Sequence, residues 1–215
     1  MWLIDSTTIR LTSVPGPGSS PYAILSHTWN GNDEVMFHEF ISSDRDITHR
    51  KFRKITETCR LARERGIPYV WVDSCCIDKT SSAELTEAIN SMFRWYKEAV
   101  VCFTYLADLA VDSDMACDLQ KCKWFTRGWT LQELVASKNV EFYDEAWNLV
   151  GDKIILLKDL FEITRIHKLV LQDSTSLPNF TVAQRMSWAA SRQTTREEDL
   201  AYCLLGIFDV YLPLI

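Results

Sequence analysis

Apolar residues fall along this chain either in short runs or in stripes at helical spacing, and the two patterns alternate. Residues 2–5 (WLID) and 9–14 (IRLTSV) flank Ser6-Thr7-Thr8, which predicts a β-hairpin, and the Pro/Gly/Ser turn VPGPGSSP that follows ends at Pro21. YAILS at 22–26 is a short apolar run bounded by turn residues, as expected of a buried strand. Over 49–66 the apolar positions Phe52, Ile55, Cys59 and Ala62 recur at helical spacing, and Gly66 stands where a C-terminal cap belongs. The polar face of that helix carries Arg53, Lys54, Arg60, Arg63 and Arg65, with the last of these near the negative end of the helix dipole.

YVWVD at 69–73 reads as a second strand that ends on a carboxylate. Ser81 and Glu84 have the spacing of a capping box ahead of one apolar stripe, Leu85, Ile89, Met92, Phe93 and Tyr96, which predicts a second helix. AVVCFTYL at 99–106 is a third strand, 127–136 a third helix and VEFY at 140–143 a fourth strand. This alternation predicts an α/β fold: a parallel sheet with helices on both faces, joined by right-handed crossovers. From Asp152 onward the patterns are helical, near 153–165, 182–192 and 196–208, with LQDSTSLPNF as a loop. The expected organisation is one domain over 1–215, comprising a hairpin and turn (1–21), an α/β core (22–150) and a helical extension (151–215).

Charge and composition narrow the function. A chain of 215 residues can bury a substantial core, and 23 basic against 29 acidic residues argue against a nucleic-acid surface recruited by bulk charge. The longest apolar run, 99–107, is far short of the about 20 residues a membrane helix needs. The N-terminus lacks the basic-then-apolar order of a signal peptide, so a cytoplasmic location is expected. Seven cysteines, an odd number that includes adjacent Cys75 and Cys76, resemble no disulfide framework and read as thiols. Cys75, Cys76, Cys117 and Cys122 lack CxxC spacing and a nearby His pair, so no metal is expected.

In open α/β sheets ligands bind beyond the carboxyl ends of the strands. Here those segments offer Ser26, His27, Thr28 and Trp29 after the first strand, residues 73–78 (DSCCID) after the second and 105–108 after the third. Asp73 and Asp78 serve equally well as ligand groups or as turn and cap residues. Pairing Cys75 or Cys76 with His27 would make a thiol nucleophile, but no orienting third group stands at a recognisable position. Neither GxGxxG nor GxxxxGK[ST] is present, so any nucleotide must be held by other contacts.

Four segments, YAILSHTW (22–29), YVWVDSCCIDK (69–79), RGWTLQEL (127–134) and TTREEDLAYCLLGIFDVYLPL (194–214), resemble in order and spacing the motifs of the fungal HET, or heterokaryon incompatibility, domain. One departure is Asn30, where the family commonly has Gly; here Gly31 follows it. The family pattern tends to continue past the final PL, so the chain reads as the N-terminal part of a longer protein. HET domains in turn resemble TIR domains, which implies a TIR-like (flavodoxin-like) core and sets WTLQEL (129–134) against the WCxxEL-like TIR motif, with Thr130 in place of Cys. Glu133 then falls on the position of the TIR catalytic glutamate, which acts on the nicotinamide-bearing ribose of NAD.

The resemblance implies a cell-death effector of fungal non-self recognition, with NAD as substrate and no cofactor. Glu133 is the candidate catalytic residue, and Ser26, His27, Trp29, Asp73, Asp78, Arg127 and Trp129 are candidates for substrate binding. Trp129 and Glu133 share a helical face, so Trp129 either shields the site or packs into the core. Arg127 suits a phosphate or an ion pair with Asp73 or Asp78, and Arg196, Glu198 and Asp199 are expected to form a structural ion-pair cluster. Self-association and a fused nucleotide-binding oligomerisation module with repeats are the implied partners. The other reading is a non-catalytic self-association module that signals through protein partners.

Overall fold

Strands β1 (Trp2–Asp5), β2 (Arg10–Ser13), β3 (Tyr22–His27), β4 (Tyr69–Trp71), β5 (Val101–Tyr105), β6 (Val140–Tyr143) and β7 (Leu149–Asp152) pair into one sheet, in the order β2-β1-β4-β3-β5-β6-β7. The computed structural model describes residues 1–212, apart from the side chains of Asn32 and Ala116; Pro213 and Leu214 of the last motif lie outside the described residues. Helices α1 (Phe37–Ile41) and α2 (Arg53–Glu64) lie between β3 and β4, α3 (Ser82–Glu98) between β4 and β5, and α4 (Met115–Asp118) and α5 (Trp129–Ala136) between β5 and β6. After β7 come α6 (Leu157–Thr164), α7 (Lys168–Gln172), α8 (Val182–Ser187), α9 (Asp199–Tyr202) and α10 (Leu205–Phe208). Among the described residues no helix is long and apolar enough to cross a membrane.

The sheet is mixed, which corrects the expectation of a parallel one. β4, β3, β5 and β6 run parallel, but β1 pairs antiparallel with β4, β2 with β1, and β7 with β6. The N-terminal hairpin is therefore part of the sheet. β7 returns on β6 through a turn in which Asp144 Oδ1 accepts from the backbone N–H of Ala146 and of Asn148, both at 2.9 Å. LVGD is short and carries no alternation, so its strand character comes from the neighbour it pairs with.

Local signals in the two long helices hold up in detail. After α2, Gly66 adopts φ +68°, its N–H donates to Arg63 O and that of Ile67 donates to Ala62 O, both at 2.9 Å, which is a Schellman cap. Ser81 Oγ accepts from the Glu84 N–H at the start of α3, but the Glu84 carboxylate turns to the Asp78 N–H instead of closing a capping box. Beyond β7 the sequence patterns overreach. The 153–165 pattern begins its helix only at Leu157, 182–192 ends it at Ser187, and 196–208 divides into the single turns α9 and α10. The expected loop at 171–180 instead takes in the end of α7 and a 3-10 helix over Ser174–Asn179.

Successive side chains of β3 point to opposite faces of the sheet. Tyr22 and Ser26 reach α3 and α5, through Tyr22 Oη to Trp95 O and Ser26 Oγ to Glu133, whereas His27 reaches Lys54 of α2. The connections out of β3 and β5 thus leave on opposite faces, and the carboxyl ends of these adjacent strands flank the crevice where open α/β sheets bind ligands.

Candidate functional site

A cavity of about 450 Å³ opens at that crevice. The end of β3 and the residues just after it, the segment leaving β4, and the first two turns of α5 with the residue two before them supply His27, Trp29, Asp73, Arg127, Trp129 and Glu133 to its lining. The α3 stripe supplies an apolar wall of Leu85, Ile89 and Met92. A third side comes from far along the chain, with Thr195, Arg196 and Asp199.

Glu133 is 7% exposed although it lines the cavity. Ser26, fully buried at the end of β3, donates its hydroxyl to Glu133 Oε2, while its oxygen accepts from Trp124 Nε1 at 2.7 Å. Burial pushes the Glu133 carboxyl up to about 8; the Ser26 hydrogen bond opposes the rise and the Asp73 charge adds to it. Ser26 is thus placed to position Glu133, and it lies behind the cavity wall.

A second polar chain crosses the sheet end. Asp73 accepts from His27 Nε2 at 3.0 Å on one oxygen and from Trp29 Nε1 at 2.8 Å on the other. Lys54 Nζ, which can only donate, meets His27 Nδ1 at 3.0 Å, Thr28 O at 3.1 Å and Glu34 Oε1. The Lys54 contact makes His27 Nδ1 an acceptor and leaves Nε2–H to donate to Asp73. Burial opposes ionisation of Asp73, but the hydrogen bond from His27, the Lys79 ammonium and the Trp29 N–H outweigh it and hold its carboxyl at about 2. Asp73 is a fixed anion that orients His27 and Trp29.

The start of α5 is held by the segment that follows α8. Gln193 N–H donates to Thr126 O at 2.7 Å and Gly128 N–H to Gln193 O at 2.9 Å. A side chain at Gly128 would place Cβ 2.5 Å from Thr194 Cγ2, so glycine admits this approach without displacing the Thr194 side chain. Arg192 Nη1 donates to Arg127 O and to Thr130 Oγ1, both at 2.8 Å, and burial pulls its guanidinium down to about 10. At the other end of α5, the buried Lys153 donates to Leu134 O at 2.6 Å and to Ser137 O at 2.7 Å. Both ends of the helix that carries Glu133 are therefore pinned by buried cations.

Of the candidates drawn from the sequence, Glu133, His27, Trp29, Asp73, Arg127 and Trp129 meet at the cavity, with Ser26 behind Glu133. Trp129 both lines the cavity and packs against the core. Asp78 stands apart: its Oδ1 accepts from the Thr80 N–H at 2.9 Å and hydroxyl at 2.6 Å, the turn role open to it from the start. Arg127 pairs with neither Asp73 nor Asp78 and donates instead to Thr195 Oγ1 at 3.1 Å. Cys75 is fully buried, its thiol pushed well up by burial, and His27 spends both nitrogens on Lys54 and Asp73, so no thiol dyad forms. All seven cysteines are free, and among the described residues no three His, Cys, Asp or Glu side chains gather as a metal site.

Two cavity cations escaped the sequence reading. Lys79 follows the second strand-end segment by one residue, and its Nζ lies 3.6 Å from the centroid of the Trp29 ring. Arg196 and Asp199 were expected in an ion-pair cluster with Glu198; no ion pair joins them among the described residues, and both line the cavity instead. The position of Lys79, just past a strand end, was the available signal for it.

The sequence model of the heterokaryon incompatibility protein (HET) family matches residues 22–118. Over 219 residues the chain is 46% identical to the vegetative incompatibility protein HET-E-1 of Podospora anserina, an alignment that takes in 98% of this chain and 16% of that protein. No solved structure matches the chain.

Proposed function

The chain belongs to the heterokaryon incompatibility family, and we propose that it is the cell-death effector domain of a non-self recognition protein, acting as a TIR-like hydrolase of the N-glycosidic bond of NAD. The observation that carries this reading is Glu133: a buried carboxyl, positioned by Ser26, facing a cavity of about 450 Å³ at the sheet crevice. The order of the parallel strands, second-first-third-fourth along the sheet by position in the chain, supports the TIR-like part. The resemblance of WTLQEL to the TIR glutamate motif points to the same residue.

The chemistry suits one carboxylate. The nicotinamide ring of NAD is cationic and leaves as a neutral base with the electron pair of the C1′–N bond, so no general acid is needed. Water adds at C1′ and loses a proton, giving ADP-ribose, nicotinamide and H⁺ from NAD⁺ and water. The Glu133 carboxylate holds the ribose hydroxyls and stabilises the positive charge that spreads over C1′ and the ring oxygen in the transition state. In the free chain the raised carboxyl keeps its proton near neutrality; a cationic ring bound beside it favours the carboxylate, so substrate binding expels that proton. Trp129 and the Leu85, Ile89 and Met92 wall limit the water that reaches the bond.

The test is nicotinamide release from NAD by concentrated domain, with Glu133→Gln alongside and folding checked for both. Release by wild type and none by the variant is expected, with activity rising faster than linearly with protein concentration if the active form is a self-associated one. Equal release by the two proteins would remove Glu133 from the chemistry. No release from a domain held as an oligomer by a fused oligomerisation module would overturn hydrolysis and leave the non-catalytic self-association reading.

A further inference from the structure

Three cations face the cavity, and none forms an ion pair among the described residues. Lys79 Nζ is buried and has no hydrogen-bond partner among them. It lies over the face of Trp29, 3.6 Å from the ring centroid. The Arg127 guanidinium donates to the Thr195 hydroxyl at 3.1 Å. Arg196 is exposed, lines the same cavity and, like Arg127 and Lys79, takes part in no ion pair among the described residues.

The cavity's own acids leave these cations uncompensated. Both oxygens of Asp73 are taken, by His27 and Trp29, although its charge still reaches Lys79. Asp199 is the other aspartate of the lining, and Glu133 is held largely protonated near neutrality by burial. Lys79, Arg127 and Arg196 against Asp73 and Asp199 leave an excess of positive charge in the cavity. A buried ammonium without hydrogen bonds is costly, and contact with an aromatic face recovers only part of that cost. A ligand oxygen in reach of Nζ would supply the rest.

We infer that Lys79, with Arg127 and Arg196, forms an anion subsite that takes the diphosphate of a dinucleotide and so holds the glycosidic end of the ligand against Glu133. A diphosphate matches the donors: three N–H groups on a point charge from lysine and two planar forks from the arginines. The identity of the anion rests on the reading of the cavity as an NAD site; the positive excess does not. Trp29 then acts as a platform, holding Lys79 over the cavity while Asp73 fixes its indole from behind.

The experiment is calorimetric titration of the whole chain with ADP-ribose, inorganic pyrophosphate and adenosine, using wild type, Lys79→Gln and Lys79→Arg. ADP-ribose and pyrophosphate are expected to bind wild type, to weaken about tenfold or more in Lys79→Gln and to recover in part in Lys79→Arg. Adenosine affinity is expected to stay the same in all three. The melting temperature of Lys79→Gln should not fall, because the change removes a buried unpaired charge. Equal affinities for pyrophosphate in wild type and Lys79→Gln, or no binding by either, would overturn the subsite. Nicotinamide release with a KM that Lys79→Gln leaves unchanged would overturn the subsite and keep the hydrolase; Lys79-dependent pyrophosphate binding without release would do the reverse. Should Lys79→Gln fail to fold, wild type alone decides: pyrophosphate must protect Lys79 from an amine-reactive reagent, and equal labelling with and without it sinks the proposal.

Discussion

Ser26 donates its hydroxyl hydrogen to Glu133 and, with the same oxygen, accepts the Trp124 indole N–H at 2.7 Å. One small side chain at the end of β3 thus satisfies two buried groups from a later part of the chain. Ser26→Ala leaves both without this partner, and a loss of about 1–3 kcal/mol of stability is expected in denaturant unfolding. Because the Ser26 hydrogen bond opposes the rise in the Glu133 pKa, the variant's carboxyl should titrate higher still. If Glu133 acts as a carboxylate, the pH profile of nicotinamide release moves to the alkaline side; an unmoved profile would mean that Ser26 does not tune it.

Glu133 also sets a pH dependence of folding. Its carboxyl is raised from 4.5 to about 8 in the folded chain, so the folded state holds the proton more tightly than the unfolded one. This contribution is fully present below 4.5 and is lost as pH rises through about 8. Glu133→Gln, which cannot ionise, is therefore expected to melt higher than wild type at about pH 9, with the gap closing toward about pH 5; each tenfold difference in proton affinity between the two states is worth about 1.4 kcal/mol. Parallel melting curves across that range would contradict the burial of an ionisable carboxyl at this position.

Lys153 caps the far end of the same helix. Lys153→Met keeps the apolar stem but strands Leu134 O and Ser137 O, and the expected cost is about 1–3 kcal/mol. Hydrogen exchange should quicken at the C-terminal end of α5 before it does in β3 or β5. Unchanged protection there would show that packing alone holds the helix end.

Gly206 sits against α3 so closely that an added Cβ would lie 2.1 Å from Phe93 Cβ and 2.5 Å from its Cγ. Gly206→Ala must push α10 away from α3, at about 1–3 kcal/mol. Limited proteolysis is expected to open 199–212 while leaving the sheet intact. Wild-type resistance of the variant to protease would mean that α10 shifts on α3 without loosening the segment.

The periodic elements were readable because each signal is local. The stripe along α3 and the glycine ending α2 needed only their own neighbours, and the strand-end rule led straight to His27 and Asp73. Glu133 was different: on α5 every residue from Thr130 to Ala136 is buried, so no polar face distinguishes it, and only the family resemblance singled it out. Lys79 and Arg196 are 117 positions apart by their residue numbers, and nothing in either neighbourhood announces that they share a cavity. β7 was missed for a related reason, because a four-residue edge strand draws its structure from the strand it pairs with.

The bridge between Arg127 and Gln193 has a consequence for the order in which the molecule is completed. The floor of the cavity is laid down with His27 and Trp29, its helix with 129–136, and its last wall with 195–199. A chain emerging from the ribosome N-terminus first can pair its parallel strands well before that wall exists. The cavity is therefore absent from every nascent fragment that stops short of residue 195, and whatever chemistry it supports is confined to molecules synthesised past that wall.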